Sequence, residues 1–129
     1  MPKLDNQLAA GLLRSPLHRV VSGWLLLLTY TGRRSGRTMT LPVAYAADGD
    51  SVVIIPGRPH TKAWWRNFVG GGPVEVVLAG RRRTGTATTV QEGTELAAAA
   101  DRFRARFPRP AVRFMGQPVL AVVIDLDPA

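Results

Sequence analysis

Cysteine is missing from all 129 residues, which rules out disulfides, thiolate metal sites and cysteine nucleophiles. Histidine is nearly missing too: His18 and His60 are the whole supply, too few for a histidine-rich metal centre. Long hydrophobic runs are absent. The longest, from Val20 to Leu28 and interrupted by Ser22 and Gly23, falls well short of the roughly 20 residues that a membrane-spanning helix needs. Arg14, His18 and Arg19 break up what would be the apolar segment of a signal peptide. Together these absences lead us to expect a cytoplasmic protein. Acidic residues are scarce as well, with 9 Asp plus Glu against 17 Lys plus Arg, a net charge of +8. Before Asp48 the only acid is Asp5, against Lys3, Arg14, Arg19, Arg33, Arg34 and Arg37. Such a field favours anionic partners, and nucleic acid, an acidic membrane surface and a phosphorylated or carboxylated cofactor all qualify.

Turning to what is present, 46% hydrophobic content is enough for a single domain over residues 1–129 to close a core without metals or disulfides. Residues 1–22 read as helical and amphipathic, with Leu8–Leu13 as a first turn set and Ser15-Pro16 as cap and first position of a second. Trp24–Thr31, Met39–Ala47 and Ser51–Pro56 are expected as three antiparallel strands in meander order, the last two joined by Asp48-Gly49-Asp50. Thr61 is placed to cap a short helix from Lys62 to about Val69. Val74–Ala79 and Arg83–Val90 form a hairpin around Gly80-Arg81-Arg82, and we read Arg81-Arg82-Arg83 as its solvated tip, with polyanion contact as the alternative. A helix of about Thr94–Phe107 and a closing strand Val119–Leu126 complete the chain. The fold class is mainly β (α+β), with about six antiparallel strands making a small barrel with short flanking helices.

One stretch carries most of the functional argument. The apolar strand Leu25–Thr31 ends in Gly32-Arg33-Arg34-Ser35-Gly36-Arg37. Glycines at both ends allow a tight turn with exposed N–H groups, and three guanidiniums offer forked donors that suit phosphate or carboxylate oxygens. A solvated hairpin turn with merely solubilising arginines is the competing reading.

That loop, followed by Pro42, by the Asp48-Gly49-Asp50 turn, by Ala63-Trp64-Trp65-Arg66-Asn67-Phe68 and by Pro73-Val74-Glu75-Val76, resembles the deazaflavin (F420)-dependent nitroreductase family of F420H2-dependent oxidoreductases. The resemblance runs in register over roughly residues 12–90 and implies a split β-barrel, related to the flavin-reductase and FMN-binding barrels. It further implies reduced coenzyme F420 as cofactor and hydride transfer to an organic acceptor such as a quinone, a nitro compound or an enone. By the same resemblance, Arg33 and Arg34 fall on the family's phosphate-binding pair, and the cofactor site takes in Gly32, Ser35, Gly36, Arg37, Met39, Pro42, Arg58, Lys62, Trp64 and Asn67. Met39 stands where family members usually carry a further basic residue, and Gly57–His60 is shorter than the family's loop. Phe103, Phe107, Phe114 and Ala44 occupy regions where nitroreducing members use tyrosines, with Tyr45 one position along and on the opposite strand face.

The helix beginning near Lys62 is expected to turn its N-terminal N–H groups toward the cofactor's anionic part, or else simply to pack Trp64 and Phe68 into the barrel. His60 and Tyr45 are the catalytic candidates, His60 as a proton donor after hydride delivery. The stretch 8–21 suits either an anionic membrane surface at the inner face of the membrane or packing on the barrel. Two alternatives stand beside the reductase: an FMN-binding split barrel, and a non-catalytic binder of cofactor, lipid or polyanion. Nucleic acid is not expected, because the Arg81–Arg83 run has no interleaved aromatic. Monomer and homodimer are both left open.

Overall fold

The computed structural model describes residues 25–56, 63–107 and 118–128. Seven strands form one antiparallel sheet: β1 (Leu25–Thr31), β2 (Thr38–Ala44), β3 (Ala46–Asp48), β4 (Ser51–Ile54), β5 (Gly72–Leu78), β6 (Arg81–Val90) and β7 (Ala121–Leu126). A five-residue 3-10 helix, Trp64–Phe68, and one α-helix, α1 (Gly93–Arg106), flank it. The strand order is β2-β1-β5-β6-β7-β4-β3. The two ends of that order, β2 and β3, are consecutive in the chain with only Tyr45 between them. The sheet is therefore curled until its edges share one bent strand, which is the split-barrel arrangement.

This corrects the expected meander. The segment 39–47 is two strands, not one: β2 pairs along its length with β1, from Thr31↔Thr38 to Leu25↔Ala44, whereas β3 pairs with β4. Period-two patterning runs through Tyr45 without a break, so it does not mark where a strand changes partner. Counting the bent strand once leaves six, as expected; counting its halves gives seven. Pro42, which cannot donate to a ladder, sits on β2 at the end of the order, where it is tolerated.

Alternation along the strands builds two apolar layers. Leu26, Leu28 and Tyr30 of β1, Val52 and Ile54 of β4, and Val122 and Ile124 of β7 fill the barrel interior. On the outer side Ala46, Val53 and Ala121 meet Ala99 and Phe103 of α1, with Phe107 tilted against Phe103 at a centroid distance of 4.8 Å. Alanines at 99 and 100 let the helix approach the sheet closely. The helix occupies almost the span that its periodicity predicts.

The β5–β6 hairpin turns at Ala79-Gly80, both in the left-handed region at φ 51° and 78°, the primed geometry that matches strand twist in two-residue loops. Leu78 then pairs with Arg81, so Arg81–Arg83 lie in β6 and not at a solvated tip. Arg82 binds Glu75 at 2.8 Å, and Arg83 reaches both the Asp50 carboxylate (3.1 Å) and the Asp127 carbonyl (2.8 Å). Gly85 marks the tightest crossing. A Cβ there would lie 2.6 Å from the Asp125 carbonyl oxygen and 3.1 Å from the Leu126 Cα, which are backbone atoms held by the β6–β7 ladder. Gly85→Ala is expected to cost about 1–3 kcal/mol through overpacking, read as a lower denaturant midpoint with unchanged slope; an unaltered midpoint would show that the ladder yields freely.

Candidate functional site

The basic loop is a compact six-residue connection between β1 and β2. Gly32 N–H donates to the Arg37 carbonyl at 2.8 Å and Gly36 N–H to the Gly32 carbonyl at 2.9 Å. Arg37 N–H donates to Ser35 Oγ at 3.1 Å. Gly36 has φ 68°, a conformation that explains glycine at this position. Three of the loop's six N–H groups are thus spent in holding its own shape. Among the described residues no hydrogen bond engages the N–H groups of Arg34 and Ser35.

The structure brings this loop directly against the Trp64–Phe68 helix. Asn67 Oδ1 accepts from Arg33 N–H at 2.8 Å while Asn67 Nδ2 donates to the Trp64 carbonyl at 2.8 Å, so both ends of the side-chain amide are used. The Arg33 guanidinium donates through Nη1 to the Arg66 carbonyl at 3.3 Å and to the Val69 carbonyl at 3.4 Å. The loop therefore meets the carboxyl end of the helix, where carbonyls point outward and a cation is favoured. The loop contact is thus with this end and not with the helix's N-terminal N–H groups, which were expected to face the anionic ligand. The helix is also shorter than expected, with no side-chain cap at Ala63, and stops at Gly70-Gly71 with φ 85° and 91°. Thr61 and Lys62 lie outside the described residues.

Behind this surface the helix lowers Trp65 and Phe68 into the barrel interior. Phe68 is fully buried, edge-on to Tyr30 at 5.3 Å and to Trp64 at 6.3 Å. The Trp65 carbonyl accepts from Thr89 Oγ1 at 2.8 Å, tying the helix to β6. Arg66 lies over the Trp65 ring at 5.3 Å. Trp64 keeps part of its surface accessible.

The remaining expected residues divide. Met39 packs against the interior cluster, whereas Pro42 is exposed; odd and even positions of β2 face opposite ways, so these two do not line one pocket. Arg34 and Arg37 are exposed, and none of the ion pairs among the described residues involves Arg33, Arg34, Arg37 or Arg66. Arg58, His60 and Phe114 lie outside the described residues, as does the stretch 8–21. Tyr45 points inward into the barrel core, away from Ala44 on the helix side, as the alternation implies. Sequence reasoning missed that Asn67 is a bridge and Arg33 a carbonyl ligand, because a hydrogen bond across 34 residues of sequence leaves no local signal.

Burial pushes both interior phenols, Tyr30 and Tyr45, above the ordinary tyrosine value, with the nearby Arg106 charge partly opposing this at Tyr45. The folded state thus retains these protons more tightly than the unfolded chain. Stability linked to them is complete below about pH 10, the unfolded value, and is lost as pH rises through the higher folded values. Denaturant midpoints measured from pH 8 upward are expected to hold steady and then fall above about pH 10, with a shallower fall in Tyr30→Phe; the same fall in that variant would contradict this assignment.

A curled antiparallel sheet whose two edges share one bent strand defines the class of split-barrel proteins. Comparison with known proteins agrees. The chain belongs to the F420H(2)-dependent quinone reductase family, whose model matches residues 15–127. It is 33% identical over 69 residues to an F420H(2)-dependent quinone reductase of Mycobacterium tuberculosis, a match covering 51% of this chain and 46% of that protein. A putative F420H(2)-dependent quinone reductase of Mycobacterium bovis matches equally. The match thus spans about half the length of these curated relatives. Among solved structures, an F420-H2 dependent reductase (FDR-A) superposes with a TM-score of 0.62 at 19% identity, covering 78% of this chain and 92% of the other. A pyridoxamine 5'-phosphate oxidase-related, FMN-binding protein of Nostoc punctiforme gives a TM-score of 0.57 at 15% identity, over 95% and 79%. These two likenesses establish the fold. Among the described residues, no helix is long and apolar enough to cross a membrane, and no cluster of three metal-ligating side chains occurs.

Proposed function

We propose that this protein is a reductase that uses reduced F420 to deliver a hydride to an organic acceptor, with a quinone as the leading acceptor class. The observation that supports the reading is the loop Gly32–Arg37, ordered against the Trp64–Phe68 helix and carrying exposed Arg34 and Arg37 with no acidic partner among the described residues, in a chain of this family. The donor set fits the group. F420 carries a phosphodiester and several carboxylates, and two exposed guanidiniums, the Ser35 hydroxyl and two N–H groups unengaged among the described residues suit such oxygens.

When bound, the cofactor supplies the hydride from its C5, so the protein's tasks are to bind, orient and exclude water. Arg34 and Arg37 would hold the anionic tail by charge-assisted bonds. Ser35 Oγ, which accepts from Arg37 N–H, keeps its own proton to donate. Trp64, part-buried beside the loop, gives this end of the barrel an apolar wall. An apolar acceptor fits this part-buried tryptophan wall better than a polar one.

Titration of pure protein with F420, followed by the cofactor's fluorescence, tests the reading. Saturable binding at micromolar concentrations is expected, weakened roughly tenfold or more in each of Arg34→Met and Arg37→Met, as loss of one hydrogen bond to a charged group implies. No change in fluorescence at micromolar protein would remove the proposal. A protein that purifies yellow would favour FMN in the same barrel.

A further inference from the structure

We infer that Arg33 and Asn67 are positioning residues that fasten the basic loop to the Trp64–Phe68 helix, leaving Arg34 and Arg37 as the cations that meet the ligand. The inference rests on the cofactor reading above for the identity of the ligand, but the fastening stands on the structure alone.

Arg33 is tied down twice. Its N–H is held by Asn67 Oδ1 at 2.8 Å, and its guanidinium spans the carbonyls of Arg66 and Val69 at 3.3 and 3.4 Å. Those carbonyls close a helix that lacks a side-chain cap at its start and is followed by two glycines with positive φ. The two N–H groups of one guanidinium nitrogen, Nη1, serve the two carbonyls, and the charge they carry is permanent. Both bonds leave from Nη1, so turning that nitrogen toward an anion would release both carbonyls at the negative end of the helix. The guanidiniums of Arg34 and Arg37 face no such cost, having no ion-pair partner among the described residues. Asn67 completes the fastening, since its Nδ2 is anchored on the Trp64 carbonyl at 2.8 Å and its Oδ1 is thereby aimed at the loop. A loop ordered beforehand loses less freedom on binding, which strengthens affinity without a new contact.

Two readouts separate fastening from direct contact. The first, amide hydrogen exchange of the Gly32, Arg33 and Gly36 N–H groups in the cofactor-free protein, reports on loop order. Arg33→Met and Asn67→Ala are expected to speed exchange about tenfold, the effect of losing one bond to a charged donor or its equivalent. Arg33→Lys should be intermediate, and Arg34→Met and Arg37→Met should leave exchange unchanged. The second readout is the ionic-strength dependence of F420 binding, which falls when a ligand-facing charge is removed. It should become shallower in Arg34→Met and Arg37→Met, but keep the wild-type steepness in Arg33→Met, where affinity alone declines. Unchanged exchange in Arg33→Met, or a shallower salt dependence in it equal to that of Arg34→Met, would overturn the inference. If the wild-type protein bound no F420, the cofactor reading would fall, and the exchange pattern alone would decide whether Arg33 and Asn67 fasten the loop.

Discussion

The segment from Thr38 to Asp48 has to satisfy two neighbours that lie at opposite ends of the strand order. Its first half completes the ladder with β1, its second half the ladder with β4, and Tyr45 is the single residue in which it changes allegiance. Burial of the Tyr45 ring in the interior cluster makes that bend part of the core. Without this closure the sheet would expose two edges, and its inward stripe of leucine, valine and isoleucine would face water. With it, the loop at the start of the segment is fixed from one side by the β1–β2 ladder. The Asn67 bridge fixes it from the other.

Charge is then distributed so that one basic region stays available. Arg82 and Arg83 spend their charge on Glu75 and Asp50, and Arg83 also joins the β3–β4 turn to the chain end through the Asp127 carbonyl. Such surface pairs contribute little stability individually, but they neutralise that part of the excess. Around the Gly32–Arg37 loop no such pairing occurs among the described residues. Arg33 is the exception in kind: it is satisfied by carbonyls, so it keeps its charge while losing its freedom. The same few residues therefore combine rigidity with unspent positive charge, which is what recognition of a flexible polyanionic tail requires.

Much of this was legible in the sequence because it is written in local terms. The β1 strand shows as Leu25–Thr31, the α1 face as alanines and phenylalanines at helical spacing, and the anion-suited loop as glycines around arginines. What was not legible involves partners distant in sequence. The switch of strand partner at Tyr45 leaves the two-residue alternation intact, so the meander was the natural inference. The Arg81–Arg83 run looked like a solvated tip because a two-residue turn at Ala79-Gly80 needs a left-handed alanine, an uncommon choice. The roles of Arg33 and Arg34 look identical in the sequence, and only the contact with Asn67, Arg66 and Val69 separates them. The helix was expected to present its amino end because helix N-termini commonly bind anions; here the loop's own arginine stabilises the opposite end.

The most direct test of the account is a crystal structure of the protein with F420 bound. It predicts the phosphodiester or a tail carboxylate within about 3 Å of the Arg34 and Arg37 guanidiniums, with Arg33 still on the carbonyls of Arg66 and Val69. A tail bound elsewhere on the barrel, or Arg33 released from those carbonyls to grip it, would contradict the account.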